Sequence, residues 1–135
     1  MGMHLNCVKC ELLATSDAVI MDSTLLSFNR VDVKDAMLLG APLFTGPSLD
    51  EAWSGRCAEL SRAVDRLQQL GAQDALILLR ASFSSPRVMH LLRCSPSVGH
   101  AALTQFDQLL RTAVCKLTNS VVTDMQWLQA SLPVL

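Results

Sequence analysis

From Ser48 onward the apolar residues return every three or four positions. Leu49, Trp53, Cys57, Leu60, Val64 and Leu67 fall on one face of a helical wheel, with Arg56, Glu59, Arg62, Asp65, Arg66 and Gln69 on the other. That period predicts an amphipathic helix of about six turns. Ser48 followed by Glu51 has capping-box spacing, in which hydroxyl and carboxylate satisfy amides that the first turn leaves free, and Gly71 supplies the stop. Asp74 opens a second helix, Ala75 to Phe83, which is apolar on almost every side and is expected in the middle of a bundle. Ser85 caps a third helix with Pro86 in the first position, where its missing amide costs little; it ends before Pro96. A fourth runs roughly from His100 to Leu117, with Leu103, Phe106, Leu110, Ala113, Val114 and Leu117 as its core stripe. Thr123 with Gln126 repeats the capping-box logic for a short last helix carrying Trp127.

Residues 1–44 follow a different pattern. Cys10 to Ala14 reads as a short strand, and Ala36 to Leu43 as another. Ser16 to Asp35 reads as a connection with a short hairpin around Phe28 to Val33. The expected fold class is therefore mainly α: a compact bundle of four to five helices, joined by short turns and preceded by a short β-containing segment.

Two stretches near the front carry a resemblance. Gly2 to Leu12 reads as a polar turn through Asn6 that delivers Lys9 onto a strand, and Leu38-Leu39-Gly40-Ala41-Pro42-Leu43 as an apolar strand broken by glycine and proline. In that order they resemble the last two blocks of the reverse transcriptase palm of retrotransposons without long terminal repeats. Asp74 to Arg80, Leu91 to Pro96 and Phe106 to Arg111 resemble the helical segment that follows the palm, and Asp124 to Val134 resembles a further recurring block. The resemblance implies a palm-end remnant at 1–44, a thumb-like helical bundle at 48–118 and a short C-terminal helix and tail at 119–135. Both ends look cut under that reading.

A complete member of the family is an RNA-directed DNA polymerase using two magnesium ions. Its metal-holding Tyr-x-Asp-Asp loop has no counterpart here, since the chain contains no tyrosine and no adjacent aspartates. The expectation is a fragment inactive alone, with no catalytic residue and no cofactor of its own. Its partners would be the missing palm and fingers and, weakly, an RNA–DNA primer–template. By the same resemblance Lys9 lies near the departing pyrophosphate, where an ammonium group could steady negative charge; it is at most accessory. Gly40 falls in the block that grips the primer, because glycine lets a backbone approach closely. The residues alone also allow Lys9 as a solvated lysine beside an edge strand, and Gly40 as part of a bulge closing a hairpin.

Between Ala75 and Phe106 the chain carries Arg80, Arg87 and Arg93, with His90 and His100, and no acidic residue. A helix that tracks a nucleic acid backbone has this character, because phosphate contacts are mainly Coulombic and need no sequence code. Arg87, His90 and Arg93 share roughly one face of the third helix, opposite Val88 and Leu92. Plain bundle surface accounts for the same pattern.

Hydrophobic residues make up 50% of the 135 and charged residues 17%, which suggests apolar surface meant to meet another part of a larger protein. The net charge of −1 gives no global attraction to nucleic acid or membrane. The longest unbroken apolar run, Ala75 to Leu79, is far below the ~20 residues that span a bilayer. With no signal-peptide pattern, the expected location is intracellular, cytoplasmic or nuclear. Five cysteines then read as reduced thiols, mostly buried. His4, Cys7 and Cys10 offer three soft ligands and no fourth, and an extended 7–10 segment would point the two sulfurs to opposite faces. Trp53 and Trp127 read as core rather than stacking platforms. The rival to the polymerase-fragment reading is a small intracellular helical protein-interaction module without catalytic activity.

Overall fold

The apolar stripe that begins at Leu49 becomes α1 (Pro47–Leu67), and its six apolar positions are all buried. The computed structural model describes residues 5–14 and 23–131. Its further helices are α2 (Ala72–Leu78), α3 (Ser85–Cys94), α4 (Ala101–Thr118) and α5 (Asp124–Ser131), so the protein is mainly helical. α1 packs against α4, whose Phe106, Ala113 and Leu117 are buried. Ala75, Leu79, Val88 and Leu91 join them in one cluster. Removing such side chains from water is the main term holding the helices together, about 1.5–3 kcal/mol for each fully buried large apolar residue.

The capping boxes come out differently at the two ends of the chain. At α5 the bond is made in both directions: Thr123 N–H donates to Gln126 Oε1 at 2.9 Å, and Gln126 N–H to Thr123 Oγ1 at 3.3 Å. At α1 it is not made. Pro47 takes the first helical position and Gly46, at φ +145°, becomes the cap, so Ser48 lies inside the first turn. Its hydroxyl donates instead to the Lys34 carbonyl at 2.9 Å. α4 is capped by His100, whose Nδ1 accepts from the Ala102 amide at 3.1 Å, and closed by Asn119 in the left-handed region.

The second helix departs most from expectation. It runs on from α2 through a wider π-type turn, Leu79–Phe83, in which Ser84 N–H donates to the Leu79 carbonyl five residues back at 2.9 Å. Only Ala75 and Leu79 of this stretch are buried, whereas Ile77 is 57% and Leu78 41% exposed. The α1–α4 pair already fills the centre, so a seven-residue helix covers it with one face and leaves the other apolar face outside. In α3 the inward positions are Val88 and Leu91, not Val88 and Leu92; Leu92 is exposed.

The strands are two residues each. β1 (Glu11–Leu12) pairs in parallel with β2 (Asn29–Arg30), replacing the expected hairpin around Phe28 to Val33. The connection between them includes Thr15 to Asp22, which lies outside the described residues. The stretch from Ala36 to Leu43 is not one strand but a hairpin, with β3 (Met37–Leu38) antiparallel to β4 (Ala41–Pro42). Leu39 and Gly40 make its turn at φ +51° and +80°. Two positive φ values in a two-residue turn match the right-handed twist of the flanking strands, and asparagine followed by glycine suits them best.

Leucine is a poor occupant of the first position, because its Cβ crowds the following carbonyl. Leu39 is also 85% exposed, so its replacement removes little packing. Leu39→Asn is expected to stabilise the protein by up to about 1 kcal/mol, read as a higher urea midpoint. A lower midpoint would mean that the leucine side chain holds the hairpin in some other way.

Candidate nucleic-acid interface

The hairpin is fixed to the helices at three levels. At its base, the Ser48 hydroxyl holds the Lys34 carbonyl. In the middle, Ala41 and Pro42 are buried where β4 meets α1 and α3. At the tip, His90 on α3 lies with Nε2 3.0 Å from the Leu39 carbonyl oxygen. A carbonyl can only accept, so Nε2 is the donor in this contact, and in the neutral imidazole Nδ1 is then an acceptor. Cys94, one turn on, has its sulfur 3.5 Å from that Nδ1. Gly40 therefore sits beside α3, the helix that carries Arg87 and Arg93, and lines a small cavity of about 290 Å³ with His90, Arg56 and Glu59.

The arginines differ in what they touch. Arg87 Nε lies 3.0 Å from Glu59 Oε2, and Arg56 Nη1 lies 2.9 Å from the same oxygen. Hydrogen bonding to Arg87, and then to Arg56, holds the Glu59 carboxyl below its usual range despite some burial. The local excess of positive charge between residues 75 and 106 is thus offset at Arg87 by a carboxylate from α1. Sequence reading missed this partner, because Glu59 and Arg87 are 28 positions apart. Arg80, in the π-type turn, and Arg93, near the end of α3, are exposed and make no ion pair among the described residues.

His100 does not join the basic face. Its Nε2 lies 2.9 Å from Asp50 Oδ1 and its Nδ1 serves as the cap of α4, so both nitrogens are engaged. Its ring stacks on Trp53 at a centroid separation of 6.1 Å. Asp50, in the first turn of α1, is the partner of this histidine. Trp127 is half-buried rather than core, with its indole N–H donating to Asp107 Oδ2 at 2.8 Å.

Lys9 ends a 3-10 turn, Cys7–Lys9, rather than standing on a strand, and it is exposed. No residue of the segment 5–14 is buried, so the core does not fix Lys9 against the hairpin. The same turn replaces the extended geometry expected for Cys7 and Cys10; their sulfurs lie near the Leu5 and Asn6 carbonyls. His4, the third residue of that soft-ligand set, lies outside the described residues. Among the described residues no group of three or more histidine, cysteine or carboxylate side chains is placed to share a metal ion.

The cysteines are free thiols, but only Cys57 is buried; Cys94 is exposed and Cys7, Cys10 and Cys115 are intermediate. Burial pushes the Cys57 thiol pKa up. No helix among the described residues is long and apolar enough to cross a membrane. No protein-family model, curated protein or solved structure matches this chain.

Proposed function

We propose that this chain corresponds to the post-catalytic part of a retrotransposon reverse transcriptase, and that on its own it holds a nucleic acid backbone without adding nucleotides. In this reading residues 1–44 are a palm end, 48–118 a thumb-like bundle and 119–135 a short helix and tail, working beside palm and fingers from elsewhere in a cytoplasmic or nuclear polymerase. The observation that carries it is the seating of the hairpin tip on α3, through His90 and the Leu39 carbonyl. Two stretches read separately from sequence, the Gly40 turn and the arginine-bearing helix, become neighbours. A glycine turn that admits close backbone approach, next to guanidinium groups, suits a strand of phosphates. Arg80 and Arg93 are available as they stand, whereas Arg87 would have to exchange Glu59 for a phosphate.

Titration of an RNA–DNA primer–template hybrid at two ionic strengths tests this. Affinity is expected to fall steeply with salt, as counterions released from the phosphates require. Replacing Arg80, Arg87 and Arg93 together by glutamine is expected to weaken binding at least tenfold. The salt slope should flatten by about 1 for each phosphate that is no longer neutralised. A slope and affinity unchanged in the triple variant would remove the interface. Magnesium-dependent primer extension by the purified chain would overturn the inactive half of the proposal.

The rival, a helical protein-interaction module, draws its support from the exposed Ile77 and Leu78 on α2. It expects a saturable protein partner and no salt-sensitive affinity for the hybrid.

A further inference from the structure

Beside the Glu59–Arg87 pair, a groove of about 710 Å³ runs between the last turns of α1 and the α2–π segment. Its floor is apolar, from Leu67, Leu70, Leu78 and Phe83, and its rim carries Arg62 and Arg66, one helical turn apart on α1. The π-type turn contributes Phe83, and such widened turns recur where helices serve a ligand. Glu59 and Arg87 close one end, already paired to each other. Arg62 and Arg66 have no ion-pair partner among the described residues, Asp65 on the same helix included. Three guanidiniums therefore face the groove against one carboxylate, above a hydrocarbon floor.

We infer that this groove binds a small amphipathic anion, an unbranched hydrocarbon chain ending in a carboxylate, with Arg62 and Arg66 on the head group and the chain along Leu67, Leu70, Leu78 and Phe83. The volume falls within the roughly 300–1,000 Å³ of small-molecule sites. Two guanidiniums one turn apart suit a carboxylate, which accepts hydrogen bonds from both, and the apolar floor selects a chain over a bare anion. The inference shares Arg87 with the polymerase reading but rests on Arg62 and Arg66, which that reading does not use.

Calorimetric titration with dodecanoate below its micelle threshold tests it, with dodecanol and acetate as comparison probes and far-UV circular dichroism to establish that each variant is folded. One-to-one saturable binding of dodecanoate is expected, with dodecanol at least tenfold weaker and acetate not saturating. Arg62→Gln with Arg66→Gln is expected to weaken dodecanoate by about tenfold or more, the scale of one missing charge-assisted hydrogen bond. Leu78→Asp, at a half-exposed floor position that a folded variant tolerates, is expected to do the same by repelling the carboxylate. No saturable binding of dodecanoate, equal affinity for dodecanol, or full affinity in the folded arginine variant would each overturn the inference. Displacement of dodecanoate by the RNA–DNA hybrid would overturn it too, making the arginines a phosphate track.

Discussion

Replacing Trp53 with alanine is expected to destabilise the protein by about 3–5 kcal/mol, the range for deleting a large aromatic from a packed core. For a domain at the lower end of the typical stability of about 5–15 kcal/mol this is enough to leave a sizeable unfolded fraction. Trp53 is fully buried in the middle of α1 and touches parts of the fold distant in sequence. Its indole N–H donates to the buried Ser97 hydroxyl at 3.1 Å, 44 positions away. Its ring stacks on His100 and meets Phe106 edge-on at 6.3 Å. Truncation would leave a cavity where α1, α4 and the 95–100 turn converge. Trp53→Phe keeps much of the apolar volume but leaves the Ser97 oxygen without its donor, so a smaller loss of about 1–3 kcal/mol is expected. Urea titration followed by circular dichroism measures both. A cost below about 1 kcal/mol for the alanine variant would mean the surrounding helices collapse into the gap and that Trp53 is not the keystone its burial implies.

Ala113→Leu should fail for the opposite reason. Ala113 on α4 is completely buried within the central cluster. Leucine is as good a helix former, so intrinsic propensity predicts almost no change. Three added carbons in a filled site force side chains off their rotamers or push helices apart, which costs about 1–3 kcal/mol and occasionally more. The sign makes the test sharp. If there were room beside Ala113, the extra apolar area would raise the thermal midpoint rather than lower it. An increased midpoint in a calorimetric scan would show that α4 packs more loosely here than the burial implies.

Much of the helical framework was legible in the chain because a helix face depends on residues three and four apart. All six expected positions of the α1 stripe are buried, with Ala63 added to them, and in α4 Phe106, Ala113 and Leu117 were the deepest of the six expected positions. The Thr123–Gln126 capping box was also correct, since every atom in it lies within one turn. Gly40 and Arg87 were picked out from sequence, but not the geometry that relates them. Nothing in the local pattern around Leu38 to Leu43 says that the tip bonds to a histidine 51 positions on. Arg62 and Arg66 were assigned to a polar face; the groove beneath them exists only because α2 and its π-type turn pack alongside.

Taken alone, the order of residues determined helix faces, helix boundaries to within a few positions and the presence of a glycine-bearing β segment at the front. These follow from steric and hydrogen-bonding preferences that act over a single turn. Only the tertiary structure decided that Ser48 would serve Lys34 rather than its own helix, that Glu59 would claim Arg87, and that Ile77 and Leu78 would stay outside. Each of those outcomes depends on which element reaches a given face first. An apolar or charged side chain far along the chain competes for that face through packing, and local periodicity carries no information about the competitor.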